Sequence, residues 1–202
     1  STIESIDVTS NQVTGSGTTQ ITINPSSNLS SSTEYYVQIP TTAFDDSSSN
    51  SYAGITDTTS LSFTTADEGV PTLTNFTPSY GATNTALDSN IVLTFSEAVD
   101  VETGNILIKK SSDNSTVESI DVTSNQVIGS GSTQITINPS SDFDSATQYY
   151  VQIPGTVFDD AAGNSYAGIT DTKSLAFTTT DIDDPIITGP SGETSSSSSV
   201  SI

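Results

Sequence analysis

STIESIDVTSNQVTGSGTTQITINPSS, read from Ser1, returns as STVESIDVTSNQVIGSGSTQITINPSS from Ser115. The offset of 114 holds without a gap from Ser1/Ser115 to Pro71/Pro185, with 52 identities in 71 aligned pairs. EYYVQIP (34–40) matches QYYVQIP (148–154), FDDSSSNSYAGITDT (44–58) matches FDDAAGNSYAGITDT (158–172), and LSFTT (61–65) matches LAFTT (175–179). Self-similarity at one fixed offset marks a duplicated structural unit. One full unit runs over 71–184. Residues 1–70 match only its later part, so they read as the C-terminal part of a first unit whose opening strands lie upstream. The segment PIITGPSGETSSSSSVSI (185–202) does not resume the repeat and reads as a linker or the first strand of a following domain.

Within the full unit, apolar residues alternate. IVLTF (91–95) sets Ile91, Leu93 and Phe95 on one face. NILIKK (105–110) divides Ile106 and Ile108 from Leu107. Ile135 and Ile137 in TQITIN, Tyr149, Val151 and Ile153 in QYYVQI, and Leu175 and Phe177 in LAFTT repeat the pattern. With STVESIDV (115–122) and a first strand near TLTNF (72–76), about seven short strands are expected. Runs of period two bounded by Gly, Asn, Ser, Asp and Pro are strand and turn signals. Nothing carries a 3.6-residue apolar stripe. The fold class is therefore all-β: tandem antiparallel sandwiches of the Ig type. SEAVDVETG (96–104) reads as a bend. The pairs Tyr35/Tyr36 and Tyr149/Tyr150 should each put one ring inside and one outside, the inner hydroxyl bonding a corner backbone group.

Composition excludes much chemistry. The chain has 24 acidic against 3 basic residues, a formal net charge of -21, and no His or Cys. There is no material for a zinc site, a haem, a disulfide, a Cys–His dyad or a Ser–His–Asp triad. Lys109, Lys110 and Lys173 are the whole cationic inventory, too little to track phosphates, so nucleic acid is excluded as a partner. No apolar run is long enough to span a bilayer. So much like charge opposes compactness unless salt screens it or cations bind. Ca²⁺, a hard cation, takes oxygen ligands of the kind this sequence has in excess.

The unit resembles the bacterial Ig-like domain of S-layer and adhesin proteins. The resemblance rests on a P-x-L/I-x-x-x-x-P-x-x-G opening (Pro71–Gly81), an I-x-L-x-F-S-E-x-V segment (Ile91–Val99), and a Y-x-V-x-I strand followed by an F-x-D-x-x-G-N turn and a final F-T-T (Tyr149–Thr179). The first copy has Ser49 where Gly163 stands, which questions a left-handed backbone at that position. The tail ITGPSG…SVSI is similar to the opening of a cadherin-like domain. These resemblances imply extracellular, tandemly arrayed stalks on a bacterial cell surface, often rigidified by Ca²⁺, with no catalysis. Their partners would be neighbouring domains of the same or an identical chain, copies assembling laterally, or a surface glycan or protein.

Two joints concentrate acid. TTADEGVP (64–71) offers Asp67 and Glu68, and TTDIDDP (179–185) offers Asp181, Asp183 and Asp184. The layout resembles cadherin-type linkers, where such residues share Ca²⁺ with loops of both flanking domains. The plain alternative is a solvated polar linker. Glu97, in the SEAVDVETG stretch, is a further candidate ligand facing the first joint. Asp159 and Asp160, with Asp45 and Asp46 in the first copy, sit in FDD-x-x-x-N, where Asp commonly hydrogen-bonds its own turn. Their metal role stands beside that reading, without the spacing of an EF-hand.

Two functions follow from different classes. One is a structural spacer stiffened by Ca²⁺ at its joints. The other is a module that itself binds carbohydrate or protein, with Tyr52, Tyr80 and Tyr166 as the available stacking platforms. A hydrolase with paired carboxylates needs a cleft that raises one pKa, and a small sandwich seldom supplies one.

Overall fold

The computed structural model describes residues 1–184, so the cadherin-like expectation for 185–202 lies outside the described residues. The chain forms two compact units. The first is Ser1–Val70 together with Ala162–Asn164, and the second is Pro71–Ala161 with the chain from Ser165 onward.

The first unit holds β1 (Val13–Thr14), β2 (Thr22–Ile23), β3 (Glu34–Tyr36) and β4 (Ser62–Thr64). β1 pairs β2 and β3 pairs β4, both antiparallel. Tyr35 stands opposite Phe63, and their rings stack with centroids 6.1 Å apart.

The second unit holds β5 (Leu73–Thr77), β6 (Ile91–Val101), β7 (Asn105–Lys110), β8 (Thr116–Asp121), β9 (Val127–Ile128), β10 (Ser132–Ile137), β11 (Gln148–Gln152), β12 (Phe158–Asp159) and β13 (Ala176–Thr178). One sheet runs β12-β6-β10-β9, with β5 also on β6, and the other runs β13-β11-β7-β8. The inward residues named by the alternation close one core between them: Ile91, Leu93 and Phe95 from β6, Ile135 and Ile137 from β10, Ile106 and Ile108 from β7, Phe177 from β13. Each such side chain contributes roughly 1.5–3 kcal/mol by leaving water. The chain is all-β and antiparallel, a sandwich of Ig type.

Three expectations need correction. SEAVDVETG is not a bend at its start, because β6 continues through Ser96 to Val101. The alternation continues too. Val99 is fully buried, and β10 and β12 pair with this second half. Tyr150 is not outside, since both Tyr149 and Tyr150 are buried. Lys109 lies over the Tyr150 ring at 6.0 Å, and the Tyr150 hydroxyl donates to Asn114 Oδ1 at 3.0 Å. Among the described residues of this unit the strands number nine rather than seven, because the two-residue strands β9 and β12 are too short to show a period. The question about Ser49 is answered: Ser49 has φ 65° and Gly163 φ 87°, so the turn is left-handed in both copies. A side chain there costs strain that Gly would avoid.

The corner bond is present in both copies. Tyr149 Oη accepts from the Asp144 amide and Tyr35 Oη from the Ser30 amide, each at 2.9 Å. Tyr149→Phe keeps the ring and leaves the amide to water, so urea unfolding should show a loss of about 1 kcal/mol. A loss indistinguishable from zero would show that the bond carries no net stability.

Identical residues have different burial in the two units. Ile23 is 37% exposed and Phe63 43%, whereas their counterparts Ile137 and Phe177 are both at 0%. The physical reason is coverage. Ile137 pairs with Ile91 of β6, and residues 72–114, which supply β5, β6 and β7, have no counterpart within 1–70.

Candidate metal centre

β5 and β12 share one edge of β6. Leu73 stands opposite Phe95, and Asp159 opposite Asp100. Both partners run antiparallel to β6, so the chain entering β5 at Pro71 and the chain leaving β12 at Asp160 both approach the stretch of β6 left between them. Glu97 lies in that stretch. Ser96 fixes its upstream boundary, with its amide donating to Thr72 O at 2.8 Å and its hydroxyl accepting from Thr72 N at 3.0 Å.

Carboxylate oxygens of Glu97 and Asp160 lie within 4.8 Å of each other. Glu97 is half-buried, and Asp160 is buried at 6% exposure. With both ionised, the repulsion at an effective dielectric of about 20 is roughly 3 kcal/mol. One Ca²⁺ binds oxygens at about 2.3–2.6 Å, so two oxygens at this spacing can share an ion.

Asp67 belongs to the first unit, where its Oδ1 accepts from Ser31 Oγ at 3.2 Å and Gly69 N at 2.9 Å. In the same unit its carbonyl accepts from Asn164 Nδ2 at 3.2 Å. Glu68 is exposed, and its amide donates to Ser31 Oγ at 2.8 Å. Asp181, Asp183 and Asp184 are exposed, and Asp181 Oδ1 accepts from the Asp183 amide at 3.0 Å. Those three do not form a ligand-spaced group among the described residues. Asp159 is half-buried in β12, and its Oδ1 is shielded with no hydrogen-bond partner.

Many carboxylates of the chain build turns. Asp46, the first-copy counterpart of Asp160, accepts from the amides of Ser48 and Asn50 at 2.8 Å and from Asn50 Nδ2 at 2.9 Å. These bonds, the Asn50 side chain foremost, hold its carboxyl below the usual range. Asp171 is lowered to about 2, first by the Ser174 hydroxyl and then by the Ser174 and Lys173 amides. A lowered folded pKa means that this turn's contribution is complete above the ordinary value of 3.8 and is lost as pH falls through about 2. A carbon-detected titration should place the Asp171 midpoint near 2, and a midpoint near 3.8 would contradict the turn.

The family model of the bacterial Ig-like domain matches residues 1–65 and again 67–179. The chain belongs to the bacterial Ig-like domain family. The two matches follow the duplication, and the second carries both Glu97 and Asp160 of the Ig-like domain. A solved structure, CopC from Methylosinus trichosporium OB3b, is similar at 14% identity over 57% of this chain and 99% of that one, with a TM-score of 0.40. No curated protein matches the chain.

Sequence reasoning missed the residues that order the chain where each Ig-like repeat ends. Thr179 Oγ1 donates to Asp144 O at 2.6 Å and accepts from Thr147 N at 2.9 Å, while Ser145 Oγ accepts from Ile182 N at 2.9 Å. Thr65 and Ser31 do the same in the first copy, to Ser30 O, Thr33 N and Glu68 N. In a chain with 71 Ser and Thr, nothing in the sequence singles these four out.

Proposed function

We propose that the chain is a non-catalytic spacer segment of a large extracellular bacterial repeat protein, with Ca²⁺ stiffening the joint before each Ig-like unit. The observation that carries this reading is the Glu97–Asp160 pair, held at ligand spacing beside the start of β5. Asp67 is the joint's own acid. It stands four residues before Pro71, and that length of chain keeps it within about 14 Å. Ca²⁺ takes six to eight oxygens, so carboxylates of the pair and the linker would be completed by backbone carbonyls, by Glu68 or Asp159, and by water. Asp181, Asp183 and Asp184 would serve the next joint in the same way, with ligands from a following unit. The mechanism is mechanical. Coordination replaces repulsion among carboxylates and fixes the angle between units. The absence of His and Cys supports a role without nucleophilic or zinc chemistry.

Small-angle scattering of the chain, first with chelator and then with millimolar Ca²⁺, tests the reading. Ca²⁺ should lengthen the particle and narrow its distribution of lengths. Identical curves would overturn calcium stiffening and leave the joints as solvated linkers.

A further inference from the structure

We propose that a groove along β13 of the second unit binds a saccharide bearing a carboxylate, a hexuronate residue, independently of calcium. The groove has a volume of about 410 Å³, and its lining includes Tyr80, Ser111, Asn114, Gln148, Thr172 and Lys173. That volume lies in the ~300–1,000 Å³ range of small-molecule sites. Of the three tyrosines weighed as stacking platforms, Tyr166 is in the core, its ring edge-on to Phe95 at 5.2 Å, and Tyr52 belongs to the first unit. Tyr80 remains, 65% exposed at the groove. Its turn is tied to the outer edge of β13. Gly81 N donates to Ala176 O at 2.8 Å, and Ala82 N to Ser79 O at 3.0 Å. The ring is thus carried on a fixed backbone, and an aromatic face with a polar tip suits the C–H face of a pyranose.

Charge argues for the acidic sugar. The three cations of the sequence all lie on the β13-β11-β7-β8 sheet or its approach: Lys109 and Lys110 end β7, and Lys173 precedes β13. Lys110 is paired with Asp144 at 2.6 Å, and Lys109 lies over Tyr150. Among the described residues Lys173 has no ion-pair partner. Its backbone is fixed by donation to Asp171 Oδ1 at 2.7 Å. The first repeat has Thr59 in place of Lys173 and Glu34 in place of Gln148. Two groove positions therefore go from a summed charge of -1 in the first copy to +1 in the second. Ser111, Thr172, Asn114 and Gln148 line the same groove as Lys173 and bring two hydroxyls and two amides to it. Since Asn114 Oδ1 accepts from Tyr150, its amide nitrogen is left to donate. An aromatic face, amides and hydroxyls, and one available ammonium in one groove match a sugar with a carboxylate.

The test is a titration of the whole chain with trigalacturonate, followed by amide NMR shifts in the presence of EDTA. The methyl ester of the same trisaccharide supplies the uncharged control. Binding should have a Kd near 1 mM, with shifts centred on Tyr80, Asn114, Gln148 and Lys173. Because a charge-assisted hydrogen bond is lost, the ester should bind about tenfold more weakly. Lys173→Gln should remove the difference between acid and ester, and Tyr80→Ala should weaken both about tenfold. Both side chains are on the surface, so unchanged melting temperatures will show that the variants fold. An absence of shifts at the groove, or affinities unchanged from wild type in both variants, would overturn the proposal. Because chelator is present throughout, failure here is separable from failure of the calcium reading.

Discussion

Ile137→Ala should lower the stability of the second unit by about 2–5 kcal/mol, whereas Ile23→Ala should cost less than about 1 kcal/mol in the first. The two residues occupy the same place in ITIN, with identical neighbours. What differs is the partner. Ile137 is fully buried opposite Ile91, so truncation removes its transfer energy and leaves a cavity among side chains that cannot fully close. Ile23 is 37% exposed on a two-residue strand that among the described residues pairs with β1 alone, so its removal leaves mainly solvent-facing space. Urea unfolding followed by resolved amide signals of each unit separates the two effects. Equal losses would contradict the difference in coverage between the copies.

The second large effect is calcium itself. An ion bound only by the folded protein stabilises it by about 2.7 kcal/mol at a hundred times its Kd. For a unit of ~100 residues that raises the melting temperature by about 10 °C. Glu97→Gln gives a direct test. In chelator the melting temperature of the variant sets its own baseline, against which its calcium increment is read. In calcium it lacks a ligand, so most of the increment should vanish. A variant that keeps the full increment would remove Glu97 from the site. A wild type with no increment would remove the site altogether.

Much of this was legible in the sequence because strand alternation and an internal repeat are local signals. The inward faces of β6, β7, β10 and β13 follow from period two alone. The length of β6 does not, since Ser96–Val101, with Glu97 and Asp100 in it, reads as a bend until β10 and β12 are seen to pair with it. Tyr150 looked like an outer residue because alternation counts faces and not the lysine and turn that cover this one. Among the acids, Glu97 and Asp160 stand 63 positions apart in sequence. Only the shared edge of β6, occupied by β5 and β12 in turn, draws them together. The local motif FDD-x-x-x-N points equally to a turn, and Asp46 shows that turn in the first copy. The groove was legible only in part. Tyr80 was a candidate, but its meeting with Lys173, Gln148 and Asn114 depends on strand order.

The most direct measurement is a calorimetric titration of Ca²⁺ into chelator-stripped protein, wild type against Glu97→Gln. A saturable isotherm with a Kd below about 1 mM, weakened at least tenfold in the variant, is the predicted result. No saturable binding, or the same isotherm for both proteins, would contradict calcium coordination by Glu97 and Asp160.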